Sequence, residues 1–242
     1  MRYPNKQIGA ALITTAVLFT APAGAQDYLP GPYVGAEIGG TYHQNVVFSD
    51  TSPGALNCDL CGAQFPSTVK NGWFAGAKLG FRLTPNFRTD FTLDYFAPVK
   101  LSGQSTTTPP STGSANLKSL VGLYNVYADF GAPPLGFIQP YLTAGIGFAR
   151  NMVGVTNGDS VLGPFTISSS SETNFAWDLG AGLSIPLSPW LTADAGYRFM
   201  DLGELRTGSV VTIGGQALQL TASKTGSLYV HAVTVGLRYS LW

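Results

Sequence analysis

Two cysteines, two histidines and a one-sided set of charged residues are the groups in this sequence able to do chemistry. Cys58 and Cys61 form a Cys-x-x-Cys pair. In an oxidising compartment such a pair can close a local disulfide staple; free thiols, a redox dithiol or a metal site are the competing readings. A thioredoxin-like dithiol needs a βαβ setting with the motif opening a helix, and no such setting surrounds it. Zinc needs further ligands, yet the nearest histidine is His43 and there is no second cysteine pair. His231 follows Ser227 by four residues, a spacing that puts both on one face of a strand. A lipid-modifying enzyme could use that pairing, but no acid is placed to orient the imidazole. An interfacial histidine is the expected reading, with no enzymatic activity and no cofactor. Glycine runs such as Gly180 to Gly182 lie inside a strand pattern and do not open a helix, as a phosphate loop must.

The charged set is more informative. Glu37, Lys78, Arg82, Arg88, Asp90, Asp94, Asp129, Asp178, Asp194, Arg198 and Arg238 all fall on the strand face that also carries most of the strand glycines. Opposite signs nearly cancel. Enclosed together, these side chains can neutralise one another as a hydrogen-bonded ion network, because an isolated buried charge is very costly. Such a network is expected to plug a narrow interior, and the alternative is that the same charges line water in a small-solute pore.

What positions these charges is strict alternation. From Tyr33 to Tyr42 the even positions Val34, Ala36, Ile38, Gly40 and Tyr42 oppose Gly35, Glu37, Gly39 and Thr41, which is strand period. Trp73, Ala75, Ala77, Leu79 and Phe81 form a second apolar face, and Phe91, Leu93, Tyr95 and Ala97 a third. In the fourth strand Leu120, Tyr124, Val126, Ala128 and Phe130 oppose Ser119, Asn125 and Asp129, although Val121, Leu123 and Tyr127 blur the pattern. Four more strands read the same way around Leu142–Phe148, Phe175–Ile185, Leu191–Phe199 and Val233–Leu241. Eight strands of about nine to eleven residues suit a tilted membrane-spanning strand, and an even number closes antiparallel.

Connection lengths alternate too. Those near residues 44–71, 98–116, 152–172 and 202–227 are long and rich in Ser, Thr, Gly and Pro. Those at 83–86, 131–138 and 186–190 are short. Long loops on one rim and tight turns on the other match an outer-membrane barrel whose long loops face outward. The long loops are expected to form mobile, solvated tips. Small residues suit the crowded interior of an eight-stranded barrel, so the glycine-rich charged face is assigned to the lumen and the large apolar face to lipid. Tyr42, Trp73, Phe81, Tyr95, Phe130, Phe148, Phe175, Tyr197 and Phe199 are expected in two interfacial girdles. A soluble lipocalin-like carrier is disfavoured by that outward aromatic band and by the long loops gathered on one rim.

Composition agrees. Of 242 residues only 11% are charged while 45% are hydrophobic, and 13 Lys and Arg balance 13 Asp and Glu. That excludes a disordered chain and the basic footprint of a nucleic-acid binder. Arg2 and Lys6, the apolar stretch Ile8 to Phe19 and the small residues Ala23, Gly24 and Ala25 read as a signal peptide over residues 1–25, cleaved after Ala25. Residues 26–242 are then the barrel domain, slightly acidic once the leader is gone. On this reading the apolar share of the chain is a lipid-facing belt and not a large core.

Five segments carry a resemblance. Tyr33-Val34-Gly35-Ala36-Glu37-Ile38-Gly39, the run Pro140 to Gly147, the run Phe175 to Gly182, Tyr197-Arg198-Phe199-Met200-Asp201-Leu202-Gly203 and Val235-Gly236-Leu237-Arg238-Tyr239 together resemble the small OmpA-like and opacity-type outer-membrane β-barrels of Gram-negative bacteria. The resemblance implies an all-β, eight-stranded antiparallel transmembrane barrel in the outer membrane, surrounded by outer-membrane lipid and inserted by the barrel assembly machinery. It implies roles in envelope integrity, adhesion, immune interaction or slow solute passage, with host or environmental surface ligands met through the long loops. Two departures stand out. The sequence stops at the eighth strand, so no peptidoglycan-binding domain and no cell-wall tethering are expected. Trp242 falls on the opposite parity from Tyr239 and Leu241, which shifts the terminal assembly signal by one residue.

Overall fold

The computed structural model describes residues 30–49, 64–105, 110–130, 138–160, 163–219 and 222–241. The signal-peptide segment, the Cys58–Cys61 pair and Trp242 lie outside the described residues, as does nearly all of the short connection 131–138.

Among the described residues the secondary structure is all strand. In chain order the strands are β1 (Gly31–His43), β2 (Val46–Ser49), β3 (Gln64–Val69), β4 (Gly72–Arg82), β5 (Phe87–Gln104), β6 (Thr112–Asp129), β7 (Gln139–Val153), β8 (Thr156–Ser160), β9 (Gly163–Ile167), β10 (Ser170–Pro186), β11 (Leu191–Arg206), β12 (Val210–Ile213), β13 (Gln216–Gln219) and β14 (Lys224–Ser240). Eight of them close an antiparallel ring in the order β1, β4, β5, β6, β7, β10, β11, β14 and back to β1. Closure pairs the backbone of every ring strand on both sides, which is the condition for crossing a bilayer with strands.

Tight turns join the ring at one rim. Leu83 N donates to Phe87 O at 2.9 Å, and Leu187 N donates to Leu191 O at 2.8 Å. The opposite rim is taller than the alternation implies. The stretches expected as loops around 98–116 and 152–172 continue as strand: β5 runs to Gln104, β6 begins at Thr112, β7 reaches Val153 and β10 starts at Ser170. Between them, β2 and β3 bridge β14 to β5. The shelf β8–β9–β12–β13 grows from the tip of β6. Ser, Thr and Gly make up much of β8, whereas Val46 and Phe48 of β2 and Val69 of β3 are buried in the main apolar cluster, and Val211 of β12 is buried as well.

The parity assignment holds through the spanning part. Val34, Ile38, Leu79, Leu93, Val126, Ile146, Leu179, Val235 and Leu237 point outward and are exposed, whereas Glu37, Lys78, Asp94, Asn125, Asp178, Arg198 and Arg238 are buried. Two readings need correction. Val121, Leu123 and Tyr127 do not blur β6: all three are buried on its lumen face beside Ser119 and Asn125. Ala97 is buried rather than outward, because a bulge between Phe96 and Val99 reverses the parity of β5.

Candidate functional site: a two-tier lumen

Glycine and charge share the inner face for a steric reason. A Cβ on Gly76 would run into the Asp94 carboxylate, and one on Gly39 would overlap the Phe74 ring. The inner wall must be bare at these points for the opposing side chain to cross.

Toward the short-turn rim the lumen is filled by charges in three connected groups. At mid-height Arg198, on β11, donates from Nε to Asp178 at 2.7 Å and from Nη1 to Glu37 at 2.7 Å and Asp94 at 3.1 Å. Lys78 Nζ donates to the other Glu37 oxygen at 2.5 Å. Asp194 is held by Arg238 through both carboxylate oxygens, at 2.7 and 3.0 Å, while Ser184 Oγ donates to it at 2.6 Å. This two-point contact is the strong geometry for a guanidinium and a carboxylate. At the turn, Arg88 Nε lies 3.1 Å from both Asp129 oxygens, and Arg82 Nη1 lies 3.5 Å from one of them.

The eleven expected lumen residues are thus all placed inward, and ten of them meet in ion pairs. The eleventh, Asp90, has no ion-pair partner among the described residues. It accepts from Tyr33 Oη at 2.9 Å, Asn125 Nδ2 at 2.9 Å and Tyr127 Oη at 3.3 Å. Tyr33, Asn125, Tyr127, Tyr141 and Ser184 are therefore members that reading the charges alone missed. The Arg88 guanidinium stacks 3.7 Å from the Tyr127 ring centre and 5.0 Å from that of Tyr141, a cation–π arrangement that lowers the cost of burying it. Their shared parity with the charges was the signal that could have found them.

Above this tier the lumen is apolar, which the alternation did not indicate. Phe74, Phe96, Val121, Leu123, Met200, Leu202, Leu228, Val230 and Ala232 belong to one packed cluster that continues through Leu117 and Val153 toward the long-connection rim. Phe74 stacks on Phe96 with ring centres 4.9 Å apart. Phe74, Val121, Leu123, Met200 and Val230 retain 0% of their accessible surface, so no water-filled passage touches them. The apolar share of the chain is a belt and a core together. A cavity of about 1000 Å³ does open between the strand extensions. Its lining, including Thr68, Gln104, Thr112, Asn157 and Phe165, contains none of the charged-tier residues.

His231 lies on the outer wall. Tyr197 Oη is hydrogen-bonded to its Nδ1, Gln44 Nε2 lies 3.3 Å from its Nε2, and the rings of Tyr42 and Phe199 flank it at 6.1 and 5.2 Å. Ser227 lies on the same face of β14 as His231 and is paired with Glu204 across the β11–β14 ladder, while both ring nitrogens of His231 are engaged by Tyr197 and Gln44. His43 points into the lumen, where its Nδ1 meets Lys70 O at 3.1 Å.

Comparison with known proteins gives a consistent result. The family described as outer membrane protein beta-barrel domain matches residues 11–240. A protein without assigned function from Brucella suis biovar 1 is 28% identical over 201 residues, spanning 71% of this chain and 69% of its own. A candidate adhesin of Rickettsia conorii is 24% identical over 201 residues, spanning 81% of this chain and 78% of its own. Among solved structures, the outer membrane protein OprG from Pseudomonas aeruginosa has the same fold, with a TM-score of 0.50, 15% identity and coverage of 87% of this chain and 96% of that one.

Proposed function

Because this chain belongs to the outer membrane protein beta-barrel domain family, we propose that it serves the outer membrane as a closed surface barrel that supports the envelope and presents its long-connection rim for contact with external surfaces. The observation that carries this reading is the doubly filled lumen. A salt-bridged tier and an apolar tier lie in series, and either one would obstruct a stream of water and ions. The scaffold below the rim is therefore closed, and the surface left for contact is where long connections face outward in such barrels.

The candidate adhesin among the relatives supports surface contact, and so does the shelf. The β8–β9–β12–β13 strands project beyond the ring, and β13 is exposed along its whole length. Displaying the barrel on a non-adherent bacterial host, with and without residues 207–223, tests the reading. Adhesion to host cells or surfaces above the empty-vector level, lost in the deletion while outer-membrane insertion persists, is the expected outcome. Adhesion no greater than the empty vector on every surface tried would overturn surface contact as the role.

A further inference from the structure

The positive charges of this barrel divide into two populations. Among the described residues Lys78, Arg82, Arg88, Arg198, Arg206, Lys224 and Arg238 each lie within 4.0 Å of a carboxylate. Lys70, Lys100, Lys118 and Arg150 do not, and all four are exposed. They are not scattered. Lys70 N donates to Lys100 O at 3.0 Å. Lys100 faces Asn116 across the β5–β6 ladder, one outward position from Lys118. Lys118 faces Met152 across the β6–β7 ladder, one outward position from Arg150, whose Nη2 reaches Ser171 Oγ at 3.5 Å. Directly paired and diagonal neighbours on a sheet stay within reach of long side chains.

Their height on the wall is equally specific. Leu101, Leu117 and Ala149 beside them are buried in the lumen, so Lys100, Lys118 and Arg150 point away from it, toward the surroundings of the barrel. On β7, Arg150 is the next outward residue beyond the exposed Phe148. On β6, Lys118 is the next beyond Leu120, which faces the exposed Tyr95. The cluster therefore sits immediately outside the aromatic girdle of the long-connection rim. No acidic residue of β3, β4, β5, β6 or β7 faces outward: Asp90, Asp94 and Asp129 all point into the lumen.

We propose that Lys70, Lys100, Lys118 and Arg150 form a docking site for the phosphate groups of a phosphorylated glycolipid in the outer leaflet. Long cationic side chains rising from just beyond an aromatic girdle reach the head-group layer with their stems on the apolar wall, and clustered Lys and Arg at that level attract anionic lipid. The lipid, not a soluble polyanion, is the occupant because the cations share the wall with the acyl-chain contact surface, so one molecule can satisfy both. The proposal rests on the outer-membrane placement and is independent of whether the lumen conducts.

The test uses the mature barrel in phosphatidylcholine nanodiscs, with and without diphosphorylated lipid A, read by native mass spectrometry of retained lipid. The wild type and the ion-paired control K224Q are expected to retain the phosphorylated lipid preferentially. The triple variant K100Q/K118Q/R150Q is expected to lose on the order of tenfold in retention, with the difference shrinking at high salt. Equal retention by the folded triple variant, or equal retention of dephosphorylated lipid A by the wild type, would overturn the site. So would a heparin fragment binding the lipid A-free barrel as tightly as the lipid binds, which would assign the cluster to a soluble polyanion. If the triple variant lacks the heat-modifiable gel migration of a folded barrel, K118Q and R150Q singly are expected to show partial loss, and undiminished retention by both would overturn it.

Discussion

Arg198 on β11 donates to Asp94 on β5 across 3.1 Å, and these two strands stand opposite each other in the ring of eight. Three strands separate them on either side: β14, β1 and β4 one way, β6, β7 and β10 the other. A single side-chain contact therefore spans the barrel diameter. The same guanidinium also binds Glu37 and Asp178, so one residue ties four strands together at mid-height.

Removing that residue should be costly. Arg198→Gln leaves Glu37, Asp94 and Asp178 facing one another without their shared cation, and breaking a buried ion pair from one side costs about 3–5 kcal/mol. Urea titration of the reconstituted barrel, followed by the shift between folded and unfolded gel mobility, should show a lower midpoint for this variant than for Lys224→Gln, which alters a half-exposed pair with Glu204 at the rim.

The apolar tier predicts a different signature. Phe74 is fully buried against Phe96, and Phe74→Ala should lose about 3–5 kcal/mol through lost packing and a residual cavity. Gly39→Ala tests the same contact from the wall, since the new methyl overlaps the Phe74 ring; overpacking of this kind costs about 1–3 kcal/mol. In the double variant Gly39→Ala/Phe74→Ala, the cost of the glycine change should largely disappear. Strictly additive costs in unfolding titrations would show that the two residues do not meet.

The outer wall is tested by charge. Leu79 and Val235 are exposed on the apolar face, and an arginine at either should cost about 2–4 kcal/mol if that face meets lipid near mid-depth. The same substitution at Leu218, exposed on β13 beyond the ring, should cost little. Equal effects at Leu79, Val235 and Leu218 in lipid vesicles would contradict the assignment of faces.

Much of this architecture was legible in the chain because alternation and turn spacing are local properties. Glu37, Lys78, Asp94 and Arg198 declare an inner face by sharing parity with glycines. That logic fails wherever the lumen itself is apolar. Val121 and Leu123 point inward while Leu120 and Tyr124 face the other way, so both faces of β6 are apolar there, and the apolar tier could not be told from the lipid face. It fails again at bulges: after Phe96 the parity of β5 reverses, and between Asp201 and Glu204 the β11–β14 register shifts beside Gly203, whose φ of 73° suits glycine. Lys100 lies past the first of these, which hides its alignment with Lys118 and Arg150. The short strands of the rim left no readable trace, since runs of four to six residues such as Val46–Ser49 or Gln216–Gln219 are too short to establish a period. Pairing across the lumen, such as Arg198 with Asp94, depends on ring closure and is invisible to any local pattern.

Ion conductance tests the central claim most directly, because closure of the lumen separates a surface barrel from a solute pore. Purified wild-type barrel inserted in planar bilayers should remain electrically silent across a wide voltage range, and Arg198→Ala should remain silent too, because the apolar tier around Phe74 and Met200 still blocks the path. Reproducible conductance steps from the wild-type protein would contradict the closed-lumen account.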